Sequence, residues 1–134
     1  MYESVLVATD GSDSADRAVD AALDLASVFD ATLYAVSVVD TRRYGDSALS
    51  GTEDIVSDLE TQANELLDAV EKRADGGVMT ELRHGKPHAE ISDYATAIDA
   101  DLLVLGNRGR ESGEVIGSTA ERIVRFVDRP VLTI

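Results

Sequence analysis

The chain has 134 residues, of which 44% are apolar and 4% aromatic, and its formal net charge is −14. This length and apolar content predict one globular domain, residues 1–134, with a core of aliphatic side chains, and they exclude a disordered tail. The absence of cysteine excludes disulfides, thiolate chemistry and cysteine-ligated metals. The acidic surface argues against partners such as nucleic acid or anionic membranes.

The sequence predicts neither a signal peptide nor a membrane span. Its start, MYESVLVATD, has no basic region, and no stretch approaches the roughly 18 apolar residues of a spanning helix. We therefore expect a cytoplasmic protein. Acidic residues are dispersed along the chain, and Lys72 and Lys86 are its only lysines. This pattern suggests a halophilic protein from a high-salt cytoplasm, where self-repulsion is screened, with an ordinary acidic mesophilic protein as the alternative.

The first half of the chain predicts two strands and two helices. SVLVAT, at 4–9, is a β-branched run that ends at a turn signal, and ATLYAVSVV, at 31–39, is a second strand. The helix between them has its cap at Ser12 or Asp13. Its inner face comprises Ala15, Ala18, Val19, Ala22, Ala26 and Phe29. A polar stretch at 40–54 predicts a mobile loop. The inner face of the second helix comprises Ile55, Leu59, Ala63, Leu66 and Val70.

The second half predicts three more strands and two helices. A weakly alternating strand within 76–85 suits a sheet edge, and Pro87 suits the start of a third helix. Residues 100–106 form the most continuously apolar strand, which we expect to be central. The chain ends in a fifth strand. The inner faces of the third and fourth helices comprise Ala89, Ile91, Ala95 and Ile98, and Ala120, Ile123, Val124 and Val127.

This alternation predicts an α/β fold. Strands that alternate with helices form a mostly parallel sheet covered on both faces, and right-handed crossovers make it doubly wound. We therefore expect a three-layer sandwich of the Rossmann-like or flavodoxin-like type, with five strands in the order 3-2-1-4-5.

Candidate binding residues follow three of the predicted strands. ATDGS ends the first strand, SVVD the second, and GNRGRESGEVIGST follows the fourth. Ligands in open α/β sheets bind beyond the carboxyl ends of the strands, and glycines there let backbone N–H groups approach an anion. A helix beginning near Gly117, Ser118 and Thr119 adds unpaired N–H groups and two hydroxyls. Asp10 can accept from a ribose hydroxyl or hold Mg²⁺ through water.

Each of these features also has a purely structural interpretation. The glycines can shape a surface loop, Ser118 can cap a helix, Asp10 can start a turn, and Arg108 and Arg110 can be surface charges. Motifs for other chemistry are missing: the sequence has no G-x-x-x-x-G-K-[ST] phosphate loop, no G-x-G-x-x-G after the first strand and no G-x-S-x-G elbow. His84 and His88 are four residues apart, but no third metal ligand is evident.

Three separated segments resemble the universal stress protein family. They are VLVATDGSDSADRAVDAALDLA, HGKPHAEISDYATAIDADLLVLGNRG and GSTAERIVRFVDRPVLTI, in the family's order and over nearly the whole chain. Members with this pattern bind ATP through a G-x2-G-x9-G-[ST] motif. The resemblance implies that Gly106 and Gly109 lie along the phosphates or ribose, and that Gly117 and Ser118 hold phosphate. Arg108 and Arg110 would add positive charge.

The first two strands also carry residues that match the family pattern. The resemblance places Asp10 near the ribose or the metal and the backbone of Val38 against adenine. It places Thr9 at the mouth of the same site, the opening beyond the carboxyl ends of the strands. It also implies a homodimer that pairs the C-terminal strands, residues 130–134. We therefore expect an ATP-binding module of the stress response that acts by binding and signalling, with Mg²⁺ as a cofactor and with slow hydrolysis at most.

The sequence departs from the family motif at one point. Seven residues separate Gly109 from Gly117, where the ATP-binding pattern has nine. This shorter segment supports a second hypothesis, a dimeric interaction protein that binds no nucleotide. A small α/β enzyme of another type is a third.

Overall fold

The computed structural model describes residues 2–40, 52–107 and 118–134. Within them, five strands alternate with four helices. The strands are β1 (Ser4–Ala8), β2 (Thr32–Val39), β3 (Val78–His84), β4 (Leu102–Leu105) and β5 (Val131–Thr133). The helices are α1 (Asp13–Phe29), α2 (Thr52–Arg73), α3 (Pro87–Ala97) and α4 (Ser118–Phe126).

The strands form one sheet in the order β3-β2-β1-β4-β5, and every pairing is parallel. The predicted α/β fold and strand order are therefore confirmed, and the edge position expected for β3 is correct. β4, which we expected to be central, lies between β1 and β5, while β1 occupies the middle of the sheet. All four residues of β4 are buried, as its apolar sequence indicates.

Two aliphatic cores cover the two faces of the sheet. On one face, Val5 and Val7 of β1 pack with the buried faces of α1 and α2. On the other, Leu6 packs with residues of α3 and α4, such as Ile91 and Ile123. Successive β1 side chains point to opposite faces, and both faces are buried. The strand therefore has no polar face, which explains its continuous apolar sequence.

The starts of two helices follow their local sequence. Ser12 is the N-cap of α1, and its Oγ accepts a hydrogen bond of 3.1 Å from the Ala15 N–H. Pro87 occupies the first turn of α3, where its missing N–H leaves no helical bond unmade. Of the two predicted caps for α1, the structure therefore selects Ser12 and places Asp13 inside the helix.

The inner face of α2 differs slightly from its prediction. Ala63, Leu67 and Val70 are buried, whereas Leu66 is half-buried and Ile55 is exposed. Residues 63, 67 and 70 follow the i, i+4, i+7 spacing, which fits an amphipathic helix as well as the predicted set does. The choice between neighbouring leucines depends on how the helix is rotated against the sheet, so the sequence pattern left it open.

The predicted loop at 40–54 is shorter than expected at its end, because α2 already begins at Thr52. Residues 41–51 lie outside the described part of the chain. Among the described residues, no helix combines the length and apolar content that a membrane crossing requires.

Candidate functional site

The carboxyl ends of β1, β2 and β4 meet at the middle of one sheet edge. β1 has β2 on one side and β4 on the other, so the crossovers leave it in opposite directions. In folds of this class, ligands bind beyond the carboxyl ends of the strands at such a point. Thr9, the first residue after β1, is buried, and its N–H donates to the Val36 carbonyl at 3.0 Å. Thr9 therefore lies at the mouth predicted from the sequence, held there by β2.

The turn after β1 presents Asp10 at this mouth. The Asp10 side chain is exposed, and its Oδ1 accepts a hydrogen bond of 2.9 Å from the Ser12 N–H. Gly11 has a φ of +83°, which favours glycine, and the Leu66 side chain lies 3.3 Å from where a Cβ at residue 11 would be. A carboxylate can accept about four hydrogen bonds, so Asp10 keeps capacity for a ligand while its position is defined by the turn.

Val38 lies where β2 extends past β1. The last β1 residue paired with β2 is Ala8, opposite Val36. The Val36 carbonyl faces β1, because it accepts from Thr9, while the Val39 carbonyl faces β3 and accepts from Gly85. Backbone groups alternate sides along a strand, so those of Val38 face the β1 side beyond the end of its pairing. They are therefore placed to bond a planar ligand edge over the end of β1.

Gly106 connects β4 to this region through close packing. The position of a Cβ on Gly106 would be 2.3 Å from the Ser14 Oγ, 2.7 Å from the Ser14 carbonyl carbon and 2.8 Å from the Ala15 nitrogen. The first turn of α1 therefore lies directly against the end of β4. Ser14, whose side chain is buried, belongs to this contact and was not singled out from the sequence. A serine on a helix face otherwise rich in alanine was the only signal for it.

The structure thus brings together four of the predicted site residues: Thr9, Asp10, Val38 and Gly106. The predicted residues Arg108, Gly109, Arg110 and Gly117 lie outside the described residues. Ser118 is the first residue of α4, as the expected helix start requires, and Thr119 is half-buried. β4 therefore ends just before Gly106, and α4 begins at Ser118, both as predicted.

A metal cage made only of side chains is not found among the described residues, since no three or more histidines or acidic residues cluster there. Asp10 is nevertheless a suitable partner for Mg²⁺ carried by a phosphate ligand. Mg²⁺ commonly keeps several waters and uses one or two carboxylates with phosphate oxygens, and one exposed carboxylate at the mouth satisfies that requirement.

Comparison with known proteins identifies the fold and its family. A family model described as the universal stress protein family matches residues 1–134. The chain belongs to the universal stress protein family. A universal stress protein of Methanocaldococcus jannaschii is 34% identical over 140 residues, covering all of this chain and 82% of that relative.

Solved structures of universal stress proteins show the same architecture. The UspA protein from Lactobacillus plantarum has 30% sequence identity and a TM-score of 0.83, with 99% of this chain and 97% of that chain covered. A universal stress protein in complex with cAMP has 28% identity and a TM-score of 0.76, with 99% and 97% covered. The family resemblance predicted from three sequence segments is therefore confirmed.

Proposed function

We propose that this universal stress protein binds an adenine nucleotide, ATP above all, at the carboxyl ends of β1, β2 and β4. The observation that carries the proposal is that β2 continues past the end of β1, which brings the exposed Asp10 carboxylate and the β1-facing backbone of Val38 to the same edge of the sheet. A related universal stress protein with the same fold is in complex with cAMP, which supports a purine nucleotide as the ligand class.

Each part of a nucleotide has a suitable partner at this edge. The backbone of Val38 offers an N–H and a carbonyl to the adenine edge, and Asp10 offers acceptor oxygens to the ribose hydroxyls. The phosphates would then extend toward the chain that leaves β4 at Gly106 and the start of α4 at Ser118. Helix N-termini favour phosphate because their first N–H groups have no helical partner.

Mg²⁺ would accompany the phosphates in this arrangement. Asp10 is the described residue suited to hold it, directly or through water, and the ion would neutralise part of the phosphate charge. This contribution matters because the net charge of −14 opposes an anionic ligand at long range. Charge-assisted hydrogen bonds, at about 1.5–3 kcal/mol each, act at short range and can offset that repulsion.

The test is calorimetric titration of ATP, ADP, AMP and cAMP with Mg²⁺ in molar salt, where repulsion is screened. We expect Asp10→Asn to weaken ATP binding by about tenfold or more, since it replaces a charged acceptor with a neutral one. Asp16→Asn is the matched control, because Asp16 is also exposed, lies on α1 and changes the net charge equally. Wild type without heat or thermal shift for any nucleotide would rule out the proposal, and equal effects of the two variants would remove Asp10 from the site.

One feature favours a second candidate function. The segment between Gly109 and Gly117 is two residues shorter than the ATP-binding pattern. If it closes the phosphate end, the protein would act as a dimeric interaction protein without nucleotide, and the same titration decides between the two.

We also propose that the protein is a homodimer in which the β5 strands of two copies, residues 130–134, pair side by side. β5 is a sheet edge, and Leu132 on it is 37% exposed. Exposed apolar edges tend to pair with another chain. A role in a stress response remains part of the proposal through the family alone, with ATP hydrolysis slow at most.

A further inference from the structure

Gly106 has a steric role that is separate from any contact with a ligand. Ordinary contact with a Cβ begins at 3.4 Å, yet a Cβ here would lie 2.7 Å from the Ser14 carbonyl carbon and 2.8 Å from the Ala15 nitrogen. These two atoms belong to one backbone peptide, so no side-chain rotation can relieve the overlap. Any larger residue at 106 must push the first turn of α1 away from β4.

The β4 side of this contact is held firmly. The Ile134 N–H donates to the Leu105 carbonyl at 2.8 Å, and the Asn107 N–H donates to the Ile134 carbonyl at 2.9 Å. Gly106 lies between these two hydrogen bonds. Moving it would break the end of the pairing between β4 and β5.

The α1 side is also held. Ser12 accepts from Ala15 through its Oγ at 3.1 Å and from Asp16 through its carbonyl at 3.0 Å. Ser14 and Ala15 are buried. The contact therefore joins two rigid elements, and the turn that carries Asp10 is directly connected to one of them.

We infer that Gly106 is a positioning residue: its lack of a side chain sets the distance between the Asp10 turn and the chain that leaves β4. This inference rests on the proposed nucleotide site, because that distance matters only if one ligand touches both. Ribose recognition by Asp10, and any contact of the same ligand with Gly106 and Asn107, then depend on the packing of Gly106 against the peptide that joins Ser14 to Ala15.

The test compares Gly106→Ala with Gly76→Ala. Gly76 lies in the turn between α2 and β3, at the opposite edge of the sheet, where a Cβ meets nothing within 4 Å but the φ is +79°. Both variants should lower the thermal midpoint, Gly76→Ala by roughly 4 °C, because a left-handed alanine is strained. Only Gly106→Ala should lower the hydrogen-exchange protection of the Ala15 and Asp16 amides.

Nucleotide binding separates positioning from simple destabilisation. The measurement is made in molar salt on variants shown to be folded, and we expect Gly106→Ala to weaken ATP binding by about tenfold or more. Ribose discrimination is the ratio of the affinities for ATP and for 2′,3′-dideoxy-ATP, which lacks the ribose hydroxyls. Gly106→Ala should bring this ratio close to one. Gly76→Ala should keep both the affinity and the ribose discrimination of wild type. Unchanged discrimination in a folded Gly106→Ala variant would overturn the positioning role.

Two further outcomes are also decisive. If Gly106→Ala does not fold, Gly106→Ala/Ser14→Ala reduces the overlap by removing the nearest atom, Oγ, and should fold. The two backbone contacts remain and still displace α1, so this variant should show the same loss of discrimination. Unchanged amide protection and thermal midpoint in Gly106→Ala would show that the packing argument is wrong. If wild type binds no nucleotide, the proposed function fails and the ligand-positioning role fails with it, while the exchange data still decide the packing.

Discussion

At the scale of single residues, three helices are followed within two residues by an aspartate with a positive φ. Asp30, Asp75 and Asp99 follow α1, α2 and α3 with φ values of 52°, 52° and 50°. Glycine is the usual residue at such positions, because it has no Cβ to strain. An acidic side chain there also faces the negative end of the helix dipole. These aspartates therefore contribute to the acidic surface at a cost in stability, which at Asp99 is partly offset by an ion pair with Arg129 Nη1 at 3.1 Å.

This cost gives a prediction for Asp30, which is exposed and caps α1 through its backbone N–H. Asp30→Gly should raise the free energy of unfolding by about 1 kcal/mol, from relief of left-handed strain and of the dipole interaction. Asp30→Asn should give only the electrostatic part, about 0.3–1 kcal/mol, and that part should shrink in molar salt. Denaturant unfolding measures both, and a glycine variant less stable than wild type would contradict the strain argument.

At the scale of elements, the amino ends of the strands are tied together by polar contacts. The Asp101 carboxylate, just before β4, accepts from the Glu3 N–H at 2.8 Å and from the Ser4 N–H at 3.0 Å, at the start of β1. Arg129 donates to the Ala100 carbonyl at 2.8 Å, which joins the approach to β5 to the same region. These contacts align β1, β4 and β5 at the edge opposite the proposed site.

The Asp101 contacts predict a dependence of stability on pH. Hydrogen bonds from the backbone N–H groups of Glu3 and Ser4 favour the charged carboxylate and lower the pKa of Asp101 below its ordinary value of 3.8. A group with a lowered folded pKa stabilises the protein above its unfolded pKa, and this contribution is lost as the pH falls through the folded pKa. Asp101→Asn should therefore destabilise the protein at neutral pH, and the difference from wild type should shrink below about pH 4.

Denaturant unfolding of wild type and Asp101→Asn between pH 7 and the acid limit of folding is the measurement. Asp24→Asn is the control, because Asp24 is exposed on α1 and changes the net charge by the same amount. A destabilisation by Asp101→Asn that does not vary with pH would show that the charge of the carboxylate is unimportant.

At the scale of the whole molecule, the open edge at β5 determines how a second copy would pair. Backbone groups of Pro130 and Ile134 bond β4, through Leu103 and through Leu105 and Asn107, so those of Val131 and Thr133 face outward by alternation. Phe126, near the end of α4, is 76% exposed. An open backbone edge at β5 is consistent with the proposed dimer.

Thr133 provides a test of this dimer. Thr133→Pro removes an N–H that faces outward, and an edge strand tolerates proline at such a position, so the monomer should keep its fold while dimerisation weakens. Thr133→Val keeps the N–H and should remain dimeric. Light scattering at several protein concentrations in molar salt measures the mass. A wild-type mass that stays monomeric, or a proline variant as dimeric as wild type, would exclude pairing through β5.

The net charge of −14 gives a second prediction for the whole molecule. Repulsion between like charges destabilises the folded chain, and a dimer carries twice the charge. Stability and dimerisation should both rise between dilute and molar salt, where the Debye length falls from about 30 Å at 0.01 M to 3 Å. Thermal unfolding without ligand, with sodium chloride varied, checks this expectation, and equal midpoints would argue against adaptation to high salt.

The sequence by itself determined the order and type of the elements and the family. Apolar runs, helical spacing and the Ser12 cap act over a few residues, so they predict strands and helices directly. The parallel, doubly wound arrangement then follows from right-handed crossovers. Asp10 was also predictable, since its place after the first strand puts it at the carboxyl edge in any fold of this class.

Only the tertiary structure decided which groups meet at that edge. The contact of Gly106 with Ser14 joins residues far apart in the sequence, and it depends on how closely α1 packs against the end of β4. The open backbone side of Val38 depends on β2 continuing three residues past the last residue that pairs with β1. Such features arise from distances between elements, and the pattern of apolar and polar residues sets which face of an element is buried but not how far that element lies from its neighbour.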